Sequence, residues 1–189
     1  MLKHQVNSIR QFAKNLIITT GYLSNMVYSA ALSLGIDEVV NVGNLGNASW
    51  IRSSHIGLID SPMLILTCDN IMTINLLDLE REVNASSEKS LIVPISKDST
   101  YAGDRIRVAG RRIVSIGPSN NTSLLASGMQ VITPLEISSK EGNFYDFSEV
   151  WQTLIASESL YLSSTTPSSW MSVDTPTDLE KYELLISSA

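Results

Sequence analysis

The sequence is poor in the residues that make disulfides, zinc centres, membrane spans and nucleic-acid grooves. Among 189 residues there is one cysteine, Cys68, and there are two histidines, His4 and His55. A single thiol has no internal partner, and one cysteine with two histidines falls short of a zinc ligand set. Charged residues make up 17% and sum to −6 at neutral pH, with a pI near 4.8. That balance excludes a basic groove, so no nucleic-acid partner is expected. Apolar runs such as Leu16-Ile17-Ile18 and Met63-Leu64-Ile65-Leu66 are strand-sized, far below the roughly 20 residues of a membrane helix, so no membrane partner is expected either. Met1-Leu2-Lys3-His4-Gln5 leads into a polar amphipathic segment instead of an apolar signal core, which points to the cytoplasm.

What is present suits one packed domain over residues 1–189. Hydrophobic residues reach 43% and mean hydropathy is +0.11, and no linker-like tract or internal repeat divides the chain. Helical spacing of Leu2, Val6 and Ile9 predicts an opening helix, and Asn15 to Thr20 a strand. A second helix from Ser24 ends at Gly35, before a strand over Glu38 to Val42. Asn75 is placed to cap a helix reaching Val83, and Ser90 to Ile95 returns to the sheet. Arg105 to Ile116 alternates as a β-hairpin, whose Arg105, Arg107, Arg111 and Arg112 read as a solvated face more readily than a phosphate grip. Leu124 to Ile132 predicts a long strand containing Gly128, Phe147 to Ile155 a helix with Trp151 in its core face, and Pro176 the start of the last helix.

Chemistry concentrates at strand ends. Met63-Leu64-Ile65-Leu66-Thr67-Cys68-Asp69 is an apolar run closed by a carboxylate, and Trp170-Met171-Ser172-Val173-Asp174 repeats that form. Open α/β sheets bind ligands beyond the carboxyl ends of their strands. A shared sheet therefore brings Asp69 and Asp174 to one crevice, where two hard oxygen ligands suit Mg²⁺ between substrate phosphates; alternatively each aspartate caps the segment that follows it. The Gly43-to-Ser49 loop precedes a helix carrying Trp50, Ile51, Ser54, His55 and Leu58 on one side, and it reads as an anion-binding turn or an ordinary capped connection. His55 on that stripe reads as a core histidine, Cys68 as a small filler, and Gly128 as a close backbone approach to ligand or a bulge.

Four segments in this order, Gly43-Asn44-Leu45-Gly46-Asn47-Ala48, Leu64 through Asn70, Ala126-Ser127-Gly128-Met129, and Trp170 through Leu179, resemble the nucleotidyltransferases that activate sugar phosphates. The resemblance covers nearly the whole chain. It implies a three-layer α/β/α sandwich with a mostly parallel central sheet, joining a nucleoside triphosphate to a sugar 1-phosphate or similar phosphorylated acceptor with release of pyrophosphate. The same resemblance implies that Asp69 and Asp174 match the family's Mg²⁺ ligands, that Gly46, Asn47 and Ala48 lie against the nucleotide base, and that Gly128 approaches the sugar. The family's opening strand and glycine-rich, arginine-bearing loop have no counterpart, so the chain reads as N-terminally truncated. An enzyme then requires a completing N-terminal segment or a second chain, and an exposed sheet edge favours a homo-oligomer. The alternative is an inactive remnant or sugar-nucleotide-binding module of the same fold. A glycosyltransferase would carry an Asp-x-Asp motif, and Asp69-Asn70-Ile71 does not supply it.

Overall fold

A computed structural model describes residues 1–13, 15–36, 38–98 and 101–187. The first half contains α1 (Leu2–Ile9), β1 (Ile17–Thr20), α2 (Ser24–Ser33), β2 (Glu38–Asn41), α3 (Trp50–Ser53), β3 (Met63–Leu66), β4 (Asn70–Thr73) and α4 (Leu76–Ala85). Then follow β5 (Ser90–Ser96), β6 (Arg105–Ala109), β7 (Arg112–Gly117), β8 (Leu124–Ile132), α5 (Pro134–Ser138), α6 (Phe147–Ala156), β9 (Leu160–Leu162), β10 (Ser169–Ser172) and α7 (Pro176–Ser187). Alternation along the strands sorts the apolar residues to two faces. Leu91, Val93, Met129 and Val131 pack with Leu76 and Leu79 of α4, whereas Ile92, Ile132 and Leu160 pack with Val150 and Leu154 of α6 and with Ile51 and Ile137. Strands covered on both faces read as continuous apolar runs, which is the form of β5 over Leu91 to Ile95. A third cluster joins Val6 of α1 and Ala31 of α2 to Ile18 and Val39 of the β1–β2 pair.

The three-layer α/β reading holds, but the sheet is mixed and not mostly parallel. Six strands run in the order β3-β8-β5-β9-β7-β6, and β1–β2 and β10–β4 form separate pairs. Among the described strands, parallel pairing occurs at β5–β9 and β1–β2. The physical reason is β8, which lies antiparallel between β3 and β5 and so reverses direction at both neighbours. Near its middle the β5–β8 register goes from Ile92 opposite Gln130 to Pro94 opposite Ala126. Two steps along β5 thus meet four along β8, and β8 bulges around Gly128 beside a proline that has no N–H to donate.

Two further expectations change. The helix after Ser49 is one turn of α3 followed by a 3-10 turn over His55–Leu58, because Ser54 is extended at φ −137°, ψ 164°. The apolar stripe therefore stops at Ile51: Leu58 is 72% exposed, and His55 is an exposed residue paired with Glu38 at 2.6 Å instead of a core histidine. In the hairpin, Arg107 is exposed and Arg111 and Arg112 pair with glutamates, but Arg105 is only 6% exposed. Its guanidinium donates to the carbonyls of Asp98 at 2.9 Å, Tyr101 at 2.6 Å and Thr122 at 2.5 Å. It holds the carbonyls of Asp98 and Tyr101 ahead of β6, a role invisible in a hairpin pattern. Among the described residues no helix is long and apolar enough to cross a membrane.

Glu82 of α4 ties that helix to the chain after β9. Its carboxylate is 9% exposed, pairs with Arg111, and accepts from Ser163 Oγ at 2.7 Å, Ser164 N at 2.9 Å and Thr165 N at 3.3 Å. Desolvation pushes its pKa up, but those hydrogen bonds outweigh it and hold the group below its ordinary value of 4.5. A depressed folded-state pKa stabilises the protein above the unfolded value, and that stabilisation fades as pH falls through the folded value. Glu82→Gln is expected to lower stability by about 2 kcal/mol at neutral pH. Denaturant titrations from neutral pH down to the acid limb should show a shallower pH dependence in the variant; parallel curves would contradict this role.

Candidate active site

The geometry around Asp69 is set by a short turn between β3 and β4. Asn70 is 9% exposed, and its Nδ2 donates to Thr67 Oγ1 at 2.6 Å and to Asp69 Oδ1 at 2.9 Å. Its carbonyl accepts from the side chain of Gln5, so α1 braces the same turn. β4 then pairs antiparallel with β10, placing Asn70 opposite Ser172. One step further, Val173 N donates to the Asp69 carbonyl at 2.8 Å, and Ser172 Oγ donates to Asp174 Oδ2 at 2.7 Å. Sheet register thus joins the two strand-end aspartates, and both line one cavity of about 380 Å³. The sequence pattern does not reveal β4, since its four residues take their pairing partner from the far end of the chain.

Gly128 borders the same cavity with φ +83°, and a Cβ there would stand 2.5 Å from both Thr67 Oγ1 and Asn70 Nδ2. The close approach that this glycine permits is to the turn carrying Asp69. Of the glycine-loop residues, Asn47 lines the cavity and Gly46 and Ala48 do not. They hold the loop against the start of α6 instead. A Cβ on Gly46 would collide with the Tyr145 carbonyl oxygen, Ala48 N donates to that oxygen at 2.8 Å, and Asn47 Oδ1 accepts from Phe147 N at 3.1 Å. The loop's N–H groups therefore serve packing as well as any ligand.

The structure adds residues that pattern did not single out. Tyr101 and Asp104, ahead of β6, line the cavity, as does Trp170. Trp170 stood inside a recognised segment with no role assigned, whereas Tyr101 and Asp104 lie in a stretch with no periodicity to read. Trp151 is half-buried and also faces the cavity, with its Nε1 donating to Gln130 Oε1 at 2.8 Å, so it is only partly core. The described lining includes Asp69, Asp104 and Asp174 and no lysine, arginine or histidine. Desolvation first, then the charges of Asp174 and Asp178, raise the Tyr101 pKa, which keeps the phenol protonated at neutral pH. Cys68 is exposed and not a buried filler, and desolvation by the surrounding chain, with Asp69 next, raises its thiol pKa. It stays a thiol at neutral pH, which argues against a nucleophilic role. Among the described residues no group of three or more His, Cys, Asp or Glu converges.

No family model matches the sequence, and no curated protein matches it. Solved structures do. A Bacillus anthracis protein assigned as a glucose-1-phosphate thymidylyltransferase, solved with sucrose, superposes with a TM-score of 0.74 at 15% identity, over 96% of this chain and 80% of that one. The inositol-1-phosphate CTP transferase of T. maritima gives 0.73 at 17% identity, over 97% and 80%. CTP:phosphocholine cytidylyltransferase from Streptococcus pneumoniae gives 0.74 at 15%, over 98% and 84%. With the strand-end aspartates at one cavity and nearly the entire chain superposed, this protein has the α/β fold of the solved nucleotidyltransferases.

Proposed function

We propose that the chain is a nucleotidyltransferase that joins a nucleoside triphosphate to a sugar 1-phosphate or a similar phosphorylated acceptor and releases pyrophosphate. The observation carrying this reading is the meeting of Asp69 and Asp174 at one cavity, across the β4–β10 register, in a fold whose solved examples bear the names of such transferases. Those names share a phosphomonoester acceptor, with a thymidylyl group transferred in one and CTP named in two, so the phosphate is the common element to be recognised.

The donor set fits magnesium. Both ligands are carboxylates, and among the described residues hydrogen bonds engage one oxygen of each, Asp69 Oδ1 and Asp174 Oδ2. Mg²⁺ prefers one or two carboxylates and fills its remaining positions with water and substrate phosphates. Bound there, the ion supplies charge neutralisation for an in-line displacement at phosphorus. The chain's own residues do the positioning. Asn70 and Ser172 orient the two carboxylates, and Asn47 lines the cavity with its side-chain oxygen tied to Phe147 N. The acceptor phosphate is itself the nucleophile, so no serine, cysteine or histidine needs activation.

The test is pyrophosphate release with each of the four common nucleoside triphosphates against glucose 1-phosphate, inositol 1-phosphate and phosphocholine in magnesium chloride. Release is expected only when triphosphate and acceptor are both present, and chelation by EDTA should abolish it. Absence of release above background in every combination would overturn the reading; substrate binding without release would turn the assignment to a binding module.

A further inference from the structure

The cavity poses a charge problem. Its described lining carries three carboxylates and no basic side chain, whereas both substrates of the proposed reaction are phosphate anions. A magnesium ion offsets part of that repulsion, and further cations are the usual complement to phosphate charge. Arg105 is near but committed, with its guanidinium buried and donating to three carbonyls. Lys97, just past the end of β5, is different. Among the described residues it forms no ion pair, and its Nζ stands 5.5 Å from the ring centroid of Tyr101 and 5.4 Å from that of Trp170. These are cation–π distances, and both rings line the cavity.

The seat beneath that ammonium is rigid. Trp170 Nε1 donates to the Ser127 carbonyl at 2.8 Å, the Tyr101 carbonyl is held by Arg105, and the two rings meet edge to face with centroids 5.5 Å apart. Tyr101 and Trp170 line the same cavity as Asp174. A lysine stem is flexible, and its compact charge can leave an aromatic face for a phosphate oxygen over a short swing. We infer that Lys97 is a phosphate-binding residue of this site, its ammonium poised on Tyr101 and Trp170, two rings that line the cavity, to contact the anionic group of an entering substrate. The inference rests on the nucleotidyltransferase reading only in requiring a phosphate-bearing ligand in this cavity.

Trp151 and Trp170 report on the cavity, so inorganic tripolyphosphate titrated in the presence of Mg²⁺ and followed by tryptophan fluorescence probes the site without requiring turnover. Lys97→Met keeps the apolar stem and is expected to weaken tripolyphosphate binding about tenfold and to flatten its salt dependence. Lys97→Arg is expected to restore affinity to within about threefold of the parent. In steady-state pyrophosphate release, the Met variant should raise KM for one phosphate substrate by about tenfold with kcat little changed. Equal affinity in parent and Met variant, equal weakening in the Met and Arg variants, or no response of the parent to tripolyphosphate would each overturn the assignment. The two readings separate cleanly. Turnover that ignores Lys97→Met removes Lys97 alone, whereas Lys97-dependent binding with no turnover in any substrate pair removes the transfer reaction and leaves the phosphate site standing.

Discussion

Asp69→Asn and Asp174→Asn are each expected to lower the rate of pyrophosphate release by about a thousandfold while leaving the protein folded. The substitution keeps shape and the acceptor oxygen. An asparagine at position 69 can still accept from Asn70 Nδ2, and one at position 174 from Ser172 Oγ, so the hydrogen bonds of 2.9 Å and 2.7 Å that orient the two side chains survive. What disappears is the charge that holds a divalent cation. Both carboxylates belong to exposed residues, and loss of an exposed charge alone changes stability little, within about 0.5 kcal/mol. On the proposed function the two groups would act on one ion, so the double variant should be scarcely slower than either single one. Initial rates over a magnesium series, with thermal melts in parallel, provide the check. A single variant that keeps parental turnover would remove that aspartate from the site. A simple product of the two losses in the double variant would show that the aspartates do not share an ion.

Gly128→Ala is expected to cost about 3 to 4 kcal/mol, a large fraction of the stability of a domain of this size. Two costs combine. At φ +83° an alanine pays about 1 to 2 kcal/mol for the left-handed backbone. Its methyl would also stand 2.5 Å from Thr67 Oγ1 and Asn70 Nδ2, atoms that hydrogen-bond each other at 2.6 Å. Relieving that overlap moves a buried amide off its partners, for about 2 kcal/mol more. Gly110, at the tip of the β6–β7 hairpin, offers the matched control: φ is +66° and nothing lies within 4 Å of its added Cβ. Gly110→Ala therefore bears the backbone cost alone. Urea unfolding of the two variants separates backbone strain from steric conflict, and equal losses would mean that the Thr67–Asn70 turn yields without penalty. Because Asn70 orients Asp69, any folded Gly128→Ala protein should also bind magnesium more weakly than the parent.

The structure distributes its signals unevenly along the sequence. Helix boundaries are readable where a local device sets them. Asn75 accepts from Leu77 N at 3.2 Å and starts α4, Gly35 with φ +66° follows α2, and Pro176 opens α7. The expected helix after Ser49 stops at α3, where Ser54 turns extended and Gly57, lacking a side chain, packs against the Ile51 carbonyl, an approach that helical spacing does not register. Of the six residues proposed for the site, Asp69, Asp174, Asn47 and Gly128 border the cavity, while Gly46 and Ala48 pack against the start of α6.

By itself, the sequence determined the alternation of helix and strand, the apolar run that β5 buries on both faces, and the two carboxylates that close strand-like segments. Each of these is a short-range pattern, fixed by side-chain periodicity and by residues that start or stop an element. Tertiary structure alone decided that β8 runs against its neighbours, that Asn70 faces Ser172 so that the two aspartates meet, that Arg105 is an internal strut, and that Lys97 rests on Tyr101 and Trp170. The last two depend on which residue lies across a loop or a sheet. Pairing between distant segments is settled by burial and hydrogen-bond satisfaction over the whole fold, and no local stretch of sequence carries that information.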